Sequence, residues 1–461
     1  MSGEDPMSGF AKIFTGQRIA VLGLGRNGLP AAASLAAMGA EVTAWDDQEA
    51  ARAEAMAQGI AVAPLAPSGV DALLLSPGIP HRLPAPHPVA AAFLAAGVPI
   101  LCDVEFLYRA VRASGSAAKF VGITGTNGKS TTTALLAHIL AGAGVSVAAG
   151  GNLGPAALAL PFLPDRGVYV LEMSSYLLER IARLRFDAAA MLNLSPDHLD
   201  RHGDMAGYIA AKRAIFARRE AADWAVIGID DDDSRALADS LSGPGIVRIS
   251  GANRDGADIR LEGGRLRDQD GVLADLSQAR ALPGAHNAQN AAAAAALARA
   301  LAVPRAAIAA GIASYPGLPH RAERIADIAG VLFINDSKAT NAASAARALA
   351  CHERIVWIAG GIAKAGGIAS LAPLFPRVSE ALLIGRDAPQ FAETLARHGV
   401  AHRLVGTLAA AVPAAFAAAR AEGAVVLLSP ASASFDQFAN FEARGEAFRA
   451  LVTALADGEG R

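Results

Sequence analysis

A glycine turn that runs into Gly-Lys-Ser, the stretch GITGTNGKST from Gly122 to Thr131, narrows the folds open to this chain more than any other feature. Gly122, Gly125 and Gly128 let backbone N–H groups point inward at phosphate oxygens, and such a loop works between a buried strand and the N-terminus of a helix. The flanks have that form. KFVGI before the loop is an apolar run of strand length, and TTTALLAHILAGAG after it is a helix that stops at glycine. Lys129 offers a point charge to the β and γ phosphates of a nucleoside triphosphate, and Ser130 offers a hydroxyl to magnesium. The strict form of the loop has glycine six residues before the lysine. Here Ile123 stands there, with the glycine one place earlier.

At 461 residues the chain is too long for one core, so two or three domains follow. Lys and Arg number 41 against 43 Asp and Glu, with no basic stripe interleaved with aromatics, so nucleic acid is not an expected partner. The 53% hydrophobic fraction comes largely from alanine, and long apolar runs are broken by charge or proline, as Arg299 breaks the alanine block from Ala291. No membrane span is expected. The N-terminal MSGEDPMSGF lacks the cationic, apolar form of a secretory signal. Cys102 and Cys351 are far apart and without metal-ligand spacing, as reduced structural thiols would be. A soluble, cytoplasmic, monomeric protein is the expectation.

Along the chain, RIAVLGLGRNG places a strand ahead of Gly23, Gly25 and Gly28 at GxGxxG spacing, then a helix to Met38 and a second strand in EVTAWDD. This is a dinucleotide-type βαβ start. DALLLSPGI adds a strand ending at Ser76 to Ile79, and ASGSAAK reads as a linker. The next segment alternates helices with strands such as VYVLE (168–172) and AAAMLNL (188–194), and Gly251 to Gly271 reads as an inserted hairpin or small sheet. Beyond Pro316 to Pro319, VLFINDSKATN, RIVWIAGG (354–361), ALLIG (381–385) and VVLLSPASASFDQF (425–438) repeat the alternation. The predicted architecture is three α/β domains: Rossmann-like over 1–113, a central phosphate-loop domain with a mostly parallel sheet over 114–318, and Rossmann-like over 319–461.

Glu172 closes a strand expected beside the phosphate-loop strand, where open parallel sheets place their sites, and reads as a magnesium-facing carboxylate; the alternative is an acid opening the helix MSSYLLERI. NLSPDHLDRHGD packs Asp197, His198, Asp200, Arg201, His202 and Asp204 together just after a strand, either a metal or phosphate edge or a capped helix start. From spacing alone Lys212, in YIAAKRAIFARRE, is a solvated helix lysine. Asn287 and Asn290 in HNAQN share a helix face at i, i+3 and offer amides to a base or phosphate, with helix capping as the alternative. His320, Arg321 and NDSKATN (335–341) gather polar groups at a domain junction, where ligand clefts form.

Taken in order, GTNGKST, VLEMSS, NLSPDHLDRHG, GAHNAQN, PHRAE, NDSKATN and SPASASFDQFANFEARG resemble the Mur ligases, which build the peptide stem of bacterial peptidoglycan. Within that family GLGRNG, SPGI and above all SFDQFANFEARG resemble the D-glutamate-adding member, and the DNPR motif of a sister enzyme is absent. The resemblance implies that ATP phosphorylates the alanyl carboxylate of UDP-N-acetylmuramoyl-L-alanine and that the amine of D-glutamate attacks the acyl phosphate. It further implies Lys129, Glu172, His198 and Lys212 as catalytic residues, two magnesium sites served by Ser130, Glu172, His198 and Lys212, and a CO2-derived carbamate on Lys212. Carbamate formation requires a neutral, hence buried, amine. ATP would be held by Thr126, Asn127, Gly128, Lys129, Ser130, Thr131, Thr132, Asn287, Asn290, Arg321 and Asp336. The UDP-sugar would meet Arg26, Asn27, Asp46, Asp47, Gln48, Ser76, Gly78, Asn152 and His198. D-glutamate would meet Lys338, Thr340, Lys364, Ser434, Phe435 and Phe441. Ala363 stands where the family has an acid before its lysine, and Asp46 with Asp47 makes the uridine rim more acidic than a diphosphate favours.

A nicotinamide-dependent dehydrogenase is one rival, because Asp46 follows GxGxxG at the distance of a ribose-binding acid, but it leaves the second glycine loop unused. A Mur-type ligase for another amino acid is a second. A non-catalytic ATP-driven switch is a third.

Overall fold

The structure, a computed structural model, describes residues 10, 12–152, 154–364 and 366–459. The chain divides into two compact units, Met1–Ala279 with Ala285–Tyr315, and Arg280–Gly284 with Pro316–Arg461. Two sheets lie in the first unit and one in the second.

The first sheet is parallel throughout and contains β1 (Arg18–Leu22), β2 (Glu41–Trp45), β3 (Ala61–Val62), β4 (Ala72–Leu75) and β5 (Ile100–Leu101), in the order β3-β2-β1-β4-β5. Chain direction across the sheet reverses between β1 and β4, so a crevice opens beyond their carboxyl ends. Gly23 and Ser76 meet there, the Ser76 hydroxyl donating to the Gly23 carbonyl at 2.8 Å.

The second sheet holds β6 (Lys119–Thr124), β7 (Val147–Gly151), β8 (Val168–Glu172), β9 (Ala188–Met191), β10 (Trp224–Gly228), β11 (Ile246–Ser250), β12 (Ile259–Glu262), β13 (Arg265–Asp268) and β14 (Gly271–Asp275). Its order is β14-β13-β12-β11-β10-β9-β6-β8-β7, parallel from β7 to β12. β8 and β9 are buried along their whole length and, apart from Glu172 at the end of β8, read as apolar runs, as strands covered on both faces do. The polar insert after Gly251 forms the meander β12–β14 and extends this sheet. Its first turn is Gly263-Gly264, both left-handed, the two-residue connection that suits strand twist.

The third sheet contains β15 (Glu323–Ile328), β16 (Val331–Asn335), β17 (Ile355–Gly360), β18 (Val378–Ile384), β19 (His402–Gly406) and β20 (Val425–Leu428), in the order β15-β16-β20-β17-β18-β19. Only β15 runs antiparallel. The alanine block lies in the helix Ala285–Ala300, which packs on the phosphate-loop helix Lys129–Gly142 with Ala291 to Ala298 buried. Small side chains let the two helices approach closely. Among the described residues no helix is long and apolar enough to cross a membrane.

Candidate active site

The glycine loop leaves β6 and enters the helix Lys129–Gly142 through left-handed Gly128 (φ +84°). A β-carbon at Gly128 would overlap Oδ1 of Asn290 and lie 3.0 Å from its Cγ, so glycine is needed for Asn290 to back the loop. Asn290 in turn donates to Oδ1 of Asn287 at 3.0 Å, which brings the two amides together as their spacing predicts. The Asn127 N–H donates to Oδ1 of Asn193 at 2.8 Å, and the Asn193 amide donates to Gln289 Oε1 at 3.1 Å. Gln289 donates onward to Asp230 at 3.0 Å. On the other side the Thr126 hydroxyl accepts from the Ser195 N–H at 3.0 Å and lies 3.1 Å from the Tyr208 hydroxyl. The loop is therefore shaped by the chain's own side chains. Ser130 and Thr132 are buried, and the Thr132 N–H donates to the Gly128 carbonyl at 2.9 Å; Thr131 is half-buried.

Two lysines converge on one carbonyl. Nζ of Lys129 donates to the carbonyls of Gly125 and Thr126, both at 2.8 Å, while Nζ of Lys212 donates to Gly125 at 2.9 Å and to the Thr124 hydroxyl at 3.3 Å. Lys212 is 2% exposed, which corrects the solvated lysine that spacing alone suggests. The helix Met205–Arg213 turns Tyr208, Ala211 and Lys212 inward, and the Lys212 amine lies 4.8 Å from the Tyr208 ring centre. Burial first, then the charge of Lys129, pushes the Lys212 amine well below the usual lysine range, against the opposing pull of Asp197 and Glu172.

Glu172 pairs in register with Ile123, so it ends the strand beside the loop as predicted. Its Oε1 accepts from the Asn152 amide at 2.8 Å, whereas Oε2 is buried and has no hydrogen-bond partner among the described residues. A buried carboxylate oxygen without a donor is a place for a cation. Together with the Ser130 hydroxyl it offers the hard oxygen donors that magnesium takes, so these residues fit that ion. His198 differs. It sits in the left-handed region at φ +53°, half-exposed, 3.5 Å from the Asp197 carboxylate and with its ring 5.0 Å from that of Tyr176. Among the described residues no group of three His, Cys, Asp or Glu has metal-ligand geometry. His202 is the buried member of the run, 2.9 Å from the Ser175 hydroxyl and 3.2 Å from Glu179. Asp204 caps the following helix by accepting from the Gly207 N–H at 2.8 Å.

In the first sheet Arg26 and Asn27 sit on the glycine loop, which Asp46 shapes by accepting from the N–H groups of Leu24 (2.7 Å) and Gln48 (2.8 Å). Asp47 is exposed and lies 3.1 Å from His87. Part of the acidity noted at this rim is thus engaged by the backbone. Gly78 is exposed beside Ser76.

In the second unit Asp336 follows β16 and accepts from the Ser429 hydroxyl at 2.8 Å and from the Ala322 N–H at 3.2 Å; burial pushes its carboxyl up to about 6. Arg321 closes the short bridge Leu318↔Arg321. Nζ of Lys338 lies 5.3 Å from the Phe441 ring centre. The Thr340 N–H donates to the Lys338 carbonyl at 2.8 Å. Ser434 is buried and Phe435 is 70% exposed. Arg444, fully buried, donates to the Ser337 hydroxyl at 2.9 Å and to the Ser432 carbonyl at 3.1 Å, binding NDSKATN to SASFDQF. Near Lys364, the Ala363 N–H donates to Asp387 at 2.8 Å, so an acid from the 385–388 turn holds the segment whose own acid is missing.

Sequence reasoning did not single out Asn193, Gln289, Tyr208 or Arg444. Asn193 had a usable signal, a polar residue just past a strand that neighbours the loop strand. Gln289 stands within HNAQN but off the asparagine face, and burial of Tyr208 and Arg444 is a tertiary outcome.

A shaped phosphate loop, two lysines on one of its carbonyls and an unsatisfied carboxylate on the next strand define a phosphate-loop nucleotide-binding protein. The Mur ligase middle domain matches residues 123–298, and the Mur ligase glutamate ligase domain matches residues 320–432. The chain belongs to the Mur ligase family. It is 48% identical over 463 residues to a UDP-N-acetylmuramoylalanine–D-glutamate ligase of Caulobacter vibrioides, covering 97% of this chain and 98% of that one. A protein of the same name from Rhodospirillum rubrum is 47% identical, with 96% of each chain covered. Among solved structures, the fold is similar to that of UDP-N-acetylmuramate-alanine ligase MurC from Thermotoga maritima (TM-score 0.60, 18% identity, 95% of this chain and 99% of that one). It is also similar to MurF from Acinetobacter baumannii (TM-score 0.59, 20% identity, 91% of each).

Proposed function

We propose that this chain is an ATP-dependent amide ligase that adds D-glutamate to UDP-N-acetylmuramoyl-L-alanine, releasing ADP and phosphate in peptidoglycan precursor synthesis. The observation that carries the reading is the near-full-length identity to ligases of that name, joined to a loop whose lysine, carboxylate and amides suit ATP.

A carboxylate is a poor acyl donor because its leaving group would be oxide. Transfer of the γ-phosphoryl of ATP to one alanyl oxygen makes an acyl phosphate, and in-line transfer needs positive charge around the developing oxyanion. Lys129 supplies it, exchanging the Gly125 and Thr126 carbonyls for phosphate oxygens. Ser130 and Glu172 would hold magnesium, which would neutralise phosphate charge. His198 would serve a second magnesium ion and contact the sugar substrate. The D-glutamate amine then attacks the acyl carbon, forming the amide and expelling phosphate with the oxygen it took. Lys338 and Lys364 suit a dicarboxylate, and Thr340, Ser434, Phe435 and Phe441 complete its pocket.

Lys212 fits a carbamate. A buried amine short of protons attacks CO2 and loses a proton, and the resulting anion sets a negative charge opposite Lys129. The carbamate nitrogen keeps one N–H, which can still donate to the Gly125 carbonyl that now accepts from Lys212. The UDP-sugar takes the crevice of the first sheet through Arg26, Asn27, Gln48, Ser76 and Gly78, with Asn152 at the acceptor. ATP takes Thr126 to Thr132, Asn287 and Asn290. The divisions 1–113, 114–318 and 319–461 and a cytoplasmic monomer belong to the same reading.

ADP release measured with UDP-N-acetylmuramoyl-L-alanine against D-glutamate, L-glutamate and other amino acids tests it. Release that requires both the sugar nucleotide and D-glutamate is expected; release with neither, or preference for another amino acid, refutes it.

A further inference from the structure

Five consecutive carbonyls, Leu75 to Ile79, leave the end of β4 and are all taken by two arginines from the second-sheet region. Nη1 of Arg180 donates to Leu75 at 2.7 Å and Ser76 at 3.0 Å, and Nη2 donates to Pro77 at 3.2 Å and Ile79 at 3.3 Å. Arg201 reaches Gly78 at 3.0 Å and Ile79 at 3.4 Å, its guanidinium 4.4 Å from the Tyr176 ring centre. Arg180 is 2% exposed and forms no ion pair with an acid among the described residues. Burial lowers it only to about 10, so it stays charged at neutral pH. Its Nη atoms are met by carbonyls while its buried Nε has no partner among the described residues, so the charge is kept buried at a cost.

We infer that Arg180 is a positioning residue for the sugar-nucleotide site, fixing the turn Ser76–Ile79 so that its outward face suits the anionic diphosphate of the substrate. In a trans peptide the N–H points opposite the C=O. Holding the Pro77 carbonyl inward on Arg180 therefore aims the Gly78 N–H outward, at an exposed position beside Ser76. The same clamp leaves a full positive charge directly beneath a turn at the crevice mouth, where an anion gains most from it. His81 reports the field: burial, then Arg180, Arg82, Arg201 and His202, push its imidazole down to about 4, so it sits neutral among cations. Arg180 follows Glu172 through the short helix Ser175–Leu178, and Arg201 follows His198 through the short helix Leu199–His202. Both segments that leave the phosphate-loop side thus end on the same turn of the first sheet.

The inference rests on the proposed function, and the test separates the two. Calorimetric binding of UDP-N-acetylmuramoyl-L-alanine to the wild-type chain comes first; no binding there refutes the proposed function itself. Arg180→Met, folded by circular dichroism, is then expected to weaken sugar-nucleotide binding and raise its KM by about tenfold or more, leaving the KM for ATP within about twofold. Arg180→Lys keeps the charge but not the fork, and recovers part of the loss. If Arg180→Met does not fold, Arg180→Lys decides by the same two constants. Wild-type sugar affinity in a folded variant, equal losses for both substrates, or failure of both variants to fold overturns the inference.

Discussion

Gly128→Ala separates a glycine required by the phosphate loop from one that merely sits on the same helix. At Gly128 the backbone is left-handed, which costs an L residue about 1–2 kcal/mol. The new methyl would also overlap Oδ1 of Asn290, so that side chain must turn and give up its bond to Asn287 in a buried setting, about 1–3 kcal/mol more. The sum, about 2–5 kcal/mol, is a large part of a typical domain stability of about 5–15 kcal/mol. The loop can escape much of it by opening. The expected result is a modest fall in melting temperature and a rise of about tenfold or more in the KM for ATP. Gly142, at the end of the same helix, has no neighbour within 4 Å of an added β-carbon. Gly142→Ala should keep the wild-type KM and hold or raise the melting temperature by the helix preference for alanine. Thermal melts and steady-state kinetics on both variants make the comparison. A Gly128→Ala protein with unchanged KM and unchanged melting temperature refutes the packing of Asn290 against the loop.

Lys129→Ala should lower turnover by about a hundredfold to a thousandfold or more, read by ADP release, since it removes the charge that meets the transferred phosphoryl group. Lys212→Ala should be inactive and partly rescued by acetate or formate, whose carboxylate replaces the carbamate; activity without rescue removes the carbamate from the mechanism. The same lysine makes stability depend on pH. Its folded value lies below the 10.5 of the unfolded chain, so between the two the unfolded chain binds more protons and stability rises with pH, by up to about 1.4 kcal/mol per unit. Urea titrations in CO2-free buffer across that window should show this rise in the wild type and its loss in Lys212→Met. Glu172→Gln should cost activity without loss of the fold, because Asn152 keeps an acceptor at the amide oxygen while the free oxygen becomes an NH2 that cannot hold a cation.

Much of the fold could be read from local pattern. The phosphate-loop strand and helix, the strand that ends at Glu172 and the Gly-Gly turn of the insert each follow from residues close in sequence. Lys212 shows where this stops. Its spacing describes a surface helix position, and the tertiary surroundings of Thr124, Gly125 and Tyr208 bury the amine, which periodicity could not show. The run from Asp197 to Asp204 shows a second limit. Density pointed to chemistry without ranking its members, and the structure divides them among a half-exposed His198, a buried His202 and a capping Asp204. Arg180 left no local signal at all, because its partners are carbonyl oxygens roughly a hundred residues away in the chain.

Ligation through an acyl phosphate requires a carboxylate oxygen to pass to phosphate. With the alanyl carboxylate of UDP-N-acetylmuramoyl-L-alanine labelled by oxygen-18, turnover with ATP and D-glutamate should yield inorganic phosphate carrying one labelled oxygen from each carboxylate activated. Phosphate free of label, with the oxygen left elsewhere, would contradict the acyl phosphate and with it the role given to the Gly122–Thr131 loop.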